Sequence, residues 1–165
     1  MKQRVWVVVA LSVMLVGCKY LSGGGATTAR KLVTSADAER ILGSAVRLES
    51  SWDGQADTPP YGRESRCEYV GAGRATLNAV IDTAPSEDGA RGAFAESRAG
   101  LGSFEHVEEV SGIGDEAFFS RGPSSRRLIV RKKAVVFLID ARRDDGGEPS
   151  VDEMKKTAAR VADQL

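Results

Sequence analysis

The chain has 165 residues, with 23 Lys and Arg against 23 Asp and Glu, one His and two Cys. A formal charge of zero gives no global pull towards nucleic acid. Its 42% apolar content permits one packed domain of ordinary size.

The opening stretch is MKQRVWVVVALSVMLVGC. Lys2 and Arg4 give a positive start, and Val5 to Val16 is apolar apart from Ser12. Such a run makes about 18 Å of helix, short of the roughly 30 Å of a hydrocarbon core. A positive start followed by a short apolar run describes a secretory signal. Leu15-Val16-Gly17-Cys18 resembles the lipobox of bacterial lipoproteins. The resemblance implies cleavage between Gly17 and Cys18, with palmitate-type acyl chains on Cys18. Two or more such chains hold a protein stably to a membrane. The expectation is an exported protein, lipid-anchored to a bacterial membrane, with its domain outside the cytoplasm. Loss of residues 1–17 removes Lys2 and Arg4 and leaves 21 basic against 23 acidic residues. With Cys18 lipidated, Cys67 stands alone, and an intramolecular disulfide is impossible. Cys67 reads as a small buried strand residue, with an intermolecular disulfide or a reactive thiol as the alternatives.

Residues 18–33 contain GGG and show no helical or strand period, so they read as a flexible tether. The domain is expected over 34–165. A helix starts at TSADAERILGSAV, with Thr34 or Ser35 as cap, Asp37 in its positive first turn, and Ala38, Ile41, Leu42 and Ala45 on one face. VRLESSW is a short strand, and DGQADTPPYGRES is loop. RCEYVGAGRATLNAVIDTA is a hairpin that turns at Gly71 and Gly73 and alternates Leu77, Ala79 and Ile81 onto one face. A helix follows from Ser86, with Ala90, Ala93, Phe94 and Leu101 as its stripe. FEHVEEV and DEAFFSR are strands around SGIGDE. RRLIVRKKAVVFLIDARR is a hairpin. With Lys132 and Lys133 as its turn, Val130 faces Val135 and Leu128 faces Phe137. Arg127, Ile129, Arg131, Val136 and Leu138 line a second, mixed face. Ser150 and Glu153 form a capping box before Val151, Met154, Ala158, Val161 and Leu165, an apolar stripe at helical spacing.

The fold class is α+β: an antiparallel sheet of five to seven strands against two or three helices, with the helices on one face. A hairpin followed by a helix occurs twice, at about 67–100 and 126–165. A GDEA turn, Gly114 to Ala117, precedes the apolar hairpin and terminal helix. This order resembles small envelope lipoproteins, some of which adopt a PsbP-like α+β sandwich. The resemblance implies a fold and no active site.

Catalytic signals are weak. His106, the single histidine, has no nucleophile context beside it. One histidine and one spare cysteine cannot supply the ligands of a zinc site. DDGGE at 144–148 lacks the EF-hand spacing, and GAG and GIG lack the setting of a phosphate loop, so no cofactor or metal is expected. Asp115 and Glu116, adjacent on a strand, point to opposite faces rather than to a shared site. One cluster stands out: Arg126, Arg127, Arg131, Lys132, Lys133, Arg142 and Arg143 fall on one hairpin. It is either an anion-binding patch for lipid head groups, wall polymer or an envelope protein, or a solvated hairpin that neutralises acids such as Glu105, Glu108 and Glu109.

The expected function is a membrane-anchored envelope lipoprotein with a non-catalytic binding or interaction domain. A binding module would hold an apolar pocket lined by Trp52, Tyr69 or Phe119, or would use the basic hairpin. An accessory subunit of an envelope complex would present a flat face instead. A hydrolase would need converging polar groups that the sequence does not announce.

Overall fold

The structure, a computed structural model, describes residues 28–55 and 62–165. Gly17, Cys18 and most of the expected tether lie outside the described residues. In chain order the elements are α1 (Ala29–Leu32), α2 (Ser35–Leu42), β1 (Val46–Gly54), β2 (Arg63–Gly71), β3 (Thr76–Thr83), α3 (Glu87–Gly102), β4 (His106–Glu109), β5 (Glu116–Arg121), β6 (Ser125–Lys132), β7 (Val135–Arg142) and α4 (Val151–Asp163). They form a single α+β domain around one seven-stranded antiparallel sheet, ordered β1-β2-β3-β7-β6-β5-β4.

Alternation along the strands gives the sheet two apolar faces. On the first, Tyr69, Leu77, Phe119, Leu128, Phe137 and Ile139 are buried beneath α1, α2 and α4. Met154, Ala158 and Val161 bring the stripe of α4 onto this face, all fully buried. On the second face, Phe118, Ile129 and Val136 meet Ala90 and Phe94 of α3. Phe94 and Phe118 pack edge to face, 5.1 Å between ring centroids. The helices therefore lie on both faces and not on one. The cause is connectivity: α3 leaves β3 and crosses β7, β6 and β5 to reach β4 at the far edge. The two hairpin–helix units differ accordingly, since α3 and α4 leave adjacent antiparallel strands and go to opposite faces.

Packed structure begins before residue 34. Ala29, Leu32 and Val33 are buried in the first core. The Ala29 N–H donates to Ser65 Oγ at 2.9 Å, and the Tyr69 hydroxyl donates to the Val33 carbonyl at 2.7 Å. Arg160 of α4 donates to the Leu32 carbonyl at 2.9 Å. Residues 29–33 are thus part of the domain rather than of the tether.

Local chemistry sets the ends of the elements. Thr34 caps α2 in a reciprocal box with Asp37, and Gly43 closes the helix at φ 69°. Ser150 caps α4 by accepting from the Glu153 N–H at 3.3 Å, but the Glu153 carboxylate turns to Lys156 and Arg40, so only half of the expected box forms. The last hairpin turns at Lys133 and Ala134, one residue later than expected. Lys132 pairs with Val135, Val130 with Phe137 and Leu128 with Ile139. A two-residue slip keeps every side chain on its expected face, because the period of a strand is two. The reason is distant in sequence: Asp115 Oδ2 accepts from the Lys133 N–H at 2.7 Å and holds Lys133 at φ 52°.

Candidate functional site

The register of the sheet aligns side chains of its second face in rows. Trp52, Arg66, Val80, Leu138, Ile129 and Phe118 form the middle row. Glu64, Asp82 and Val136 lie to one side of it, and Glu68, Asn78, Asp140 and Arg127 to the other. Helix α3 covers only the β4–β7 half of this face. At the border of that cover lies a groove of about 420 Å³. Val80, Leu101, Phe104, Ile129, Val136 and Leu138 give it an apolar lining, and Asp82, Ser97 and Arg127 add polar groups. Phe104, just past the end of α3, is 72% exposed. A concave apolar site with a few convergent polar groups is the usual form of a small-molecule site.

Two other hollows have similar volumes, and each has an ion pair in it or beside it. Arg98 pairs with Glu109 at 2.7 Å in one, and Asp53 pairs with Arg63 at 2.7 Å beside the other. The groove differs. Among the described residues the Asp82 carboxyl has no hydrogen-bond or ion-pair partner, and its Oδ1 is shielded from solvent. Arg66 is close enough to lower the Asp82 pKa, but its guanidinium is committed to Glu64 at 3.3 Å and lies over Trp52, 5.1 Å from the ring centroid. Burial and the neighbouring Glu64 therefore push Asp82 up to about 7. At the opposite end, Arg127 sits between Glu105 at 2.5 Å and Asp140 at 3.3 Å, and Ser120 donates to Glu105.

Asp82 gives the domain a measurable pH dependence. A carboxyl whose folded pKa lies above its ordinary value holds its proton more tightly when folded. Its contribution is fully favourable below about pH 4 and is lost as pH rises through 7. One unit is worth about 1.4 kcal/mol, and the open groove reduces the total to about 2 kcal/mol. Asp82→Asn is expected to stabilise the domain at pH 8 and flatten the fall in stability between pH 4 and 8, as read by urea unfolding. An unchanged slope would contradict this placement of Asp82.

The basic hairpin does not form an open patch. Five of its seven cations have carboxylate partners: Arg126 with Glu148, Arg127 with Glu105 and Asp140, Arg131 with Asp115 and Glu116, Lys132 with Asp115, and Arg143 with Asp145. Arg126 and Arg131 are buried. Only Lys133 and Arg142 have no carboxylate partner among the described residues, and they lie at opposite ends of the hairpin. Glu105 takes the neutralising role expected of it, while Glu109 pairs with Arg98. Asp115 and Glu116 do converge, on Arg131, because Asp115 belongs to the turn before β5 and not to the strand.

The aromatic residues expected around a pocket do not share one. Tyr69 and Phe119 are buried in the first core, and Trp52 lies on the surface of β1. Cys67 is buried as expected, with burial pushing its thiol up to about 11. His106 is exposed on the edge strand β4. Sequence reasoning missed Asp82 and Val80. Their signal was the second face of LNAVIDTA, where Asn78, Val80 and Asp82 alternate with the core residues.

Among the described residues no helix is long and apolar enough to cross a membrane. No family model and no curated protein matches the chain. The fold is similar to that of the extracellular domain of PknH from Mycobacterium tuberculosis, with 13% identity and a TM-score of 0.58, covering 81% of this chain and 92% of that one. At that identity the likeness is one of fold.

Proposed function

We propose that the chain is a lipid-anchored protein of the bacterial cell envelope whose domain binds a small ligand, without chemistry, in the groove beside α3. The groove carries this reading: it combines an apolar lining with an unpartnered carboxyl, and no nucleophile–base pair accompanies it among its lining residues. The lipobox at Leu15–Cys18 supports the anchor. The likeness in fold to a domain titled extracellular supports a position outside the cytoplasm.

Two measurements test the two halves. Cys18→Ser in the full chain, expressed in a bacterial host, should abolish palmitate labelling and leave the precursor uncut. Persistent labelling would remove the anchor. For the groove, 2-phenylethanol titrated into the full chain in zwitterionic nanodiscs should shift the amide resonances of Val80, Leu101, Ile129 and Leu138. Shifts confined to other elements, or none beyond those of empty discs, would remove the site.

A further inference from the structure

The balance of charge at the Asp82 end of the groove points to the class of ligand. Two carboxylates, Asp82 on β3 and Glu64 on β2, are direct cross-strand neighbours there. Like charges placed opposite one another on a sheet are destabilising. One guanidinium, that of Arg66, serves them both, and it is bonded to Glu64. From β7 the neighbour of Asp82 is Val136, and α3 contributes Ser97, Gly100 and Leu101, none of them charged. Arg127 is the one cation in the lining. It lies on the far side of the Val80–Leu138 row and is occupied by Glu105 and Asp140. The Asp82 end thus has one carboxylate in excess and a shielded oxygen without a donor, and native proteins rarely leave such a group unmatched.

We infer that the groove takes an organic cation: a protonated amine bonded to the Asp82 carboxylate, carried on an apolar body that lies over Val80 and Leu138. An uncharged donor would supply the hydrogen bond but leave the excess charge. An anion would add a third negative group beside Glu64. Binding of the cation is coupled to ionisation of Asp82, so affinity rises with pH between 6 and 8 and a proton is released. This inference rests on the groove being the binding site, and its test separates the two.

The test uses three probes that share one apolar body: 2-phenylethylammonium, 2-phenylethanol and 3-phenylpropionate. Each is titrated into the full-length chain in zwitterionic nanodiscs at pH 7.5, with empty discs as the blank. The ammonium should bind about tenfold more tightly than the alcohol, or about 1.4 kcal/mol, because its hydrogen bond to the carboxylate carries an opposite charge and the hydroxyl's does not. The propionate should bind more weakly than either. Asp82→Asn, nearly identical in shape, should remove the preference for the ammonium, so that the ammonium and the alcohol bind about equally. Equal affinity of ammonium and alcohol, or a preference that survives Asp82→Asn, would overturn the cation while the groove stands. Failure of all three probes to bind would overturn the groove itself, and the inference with it.

Discussion

Met154→Asp should leave the chain without a cooperative unfolding transition at 25 °C, or with one close to its midpoint. Met154 is fully buried in the α4 stripe, against the first face of the sheet. The change removes a large apolar side chain, which alone costs about 2–5 kcal/mol, and adds a polar group without a partner, which costs about 1–3 kcal/mol more even when protonated. Together they come to about 3–8 kcal/mol, enough to offset the stability of a domain in the lower part of the typical range of about 5–15 kcal/mol. Met154→Leu, nearly equal in volume, should cost under about 1.5 kcal/mol. Chemical unfolding followed by far-ultraviolet circular dichroism distinguishes the variants. A Met154→Asp domain as stable as the parent would show that α4 does not pack on the sheet.

Gly114→Ala should lower the melting temperature by on the order of 10 °C, whereas Gly112→Ala, two residues away, should lower it by a few degrees. Both glycines have positive φ, 64° and 80°. An alanine in that region costs roughly 1–2 kcal/mol by itself. The surroundings make the difference. A Cβ on Gly112 would meet open space, but one on Gly114 would come within 2.5 Å of Val130 Cγ1 and 2.6 Å of the Arg131 carbonyl oxygen. Backbone cannot yield as a side-chain tip can. The strand must move, and with it the bond from the Asp115 N–H to the Arg131 carbonyl at 2.9 Å. A total of about 3 kcal/mol is expected from strain and displacement together. Differential scanning calorimetry of the two variants decides the matter, and equal shifts would refute the steric account. The glycine of GDEA is therefore required by the closeness of β6, and the aspartate beside it by the turn of the next hairpin.

Terminal helix α4 was legible because its stripe repeats at helical spacing over four turns and its cap is a local hydrogen bond. The strands were legible from alternation, which also survives an error of two residues in register. Three things were not legible. Ala29, Leu32 and Val33 span barely one turn, too short for a period, and only the Ser65 and Tyr69 hydroxyls and Arg160 reveal that the chain is fastened there. The basic hairpin was a list of cations without their partners, since Glu105, Asp115, Glu116 and Glu148 lie 15 to 22 residues from the arginines they bind. The groove is formed by β3, β6, β7 and the far end of α3, and no single stretch of sequence contains it. Its lining included residues that sequence did place on a mixed second face, namely Ile129, Val136, Leu138 and Arg127, but the extent of α3's cover could not be read from them.

The position of β7 has a consequence for the order in which the chain can fold. This strand is the last of the seven in sequence and yet sits in the middle of the sheet, where Leu77 meets Ala141 and Leu128 meets Ile139. Until residue 142 is available, β1–β3 and β4–β6 are two half-sheets, with β3 and β6 each lacking the partner that β7 supplies, and neither has α4 over its first face. Contacts this distant in sequence form slowly, because the entropy of closing the intervening loop is lost before the contact repays it. A chain made from its amino terminus would therefore hold no closed sheet until β7 was available.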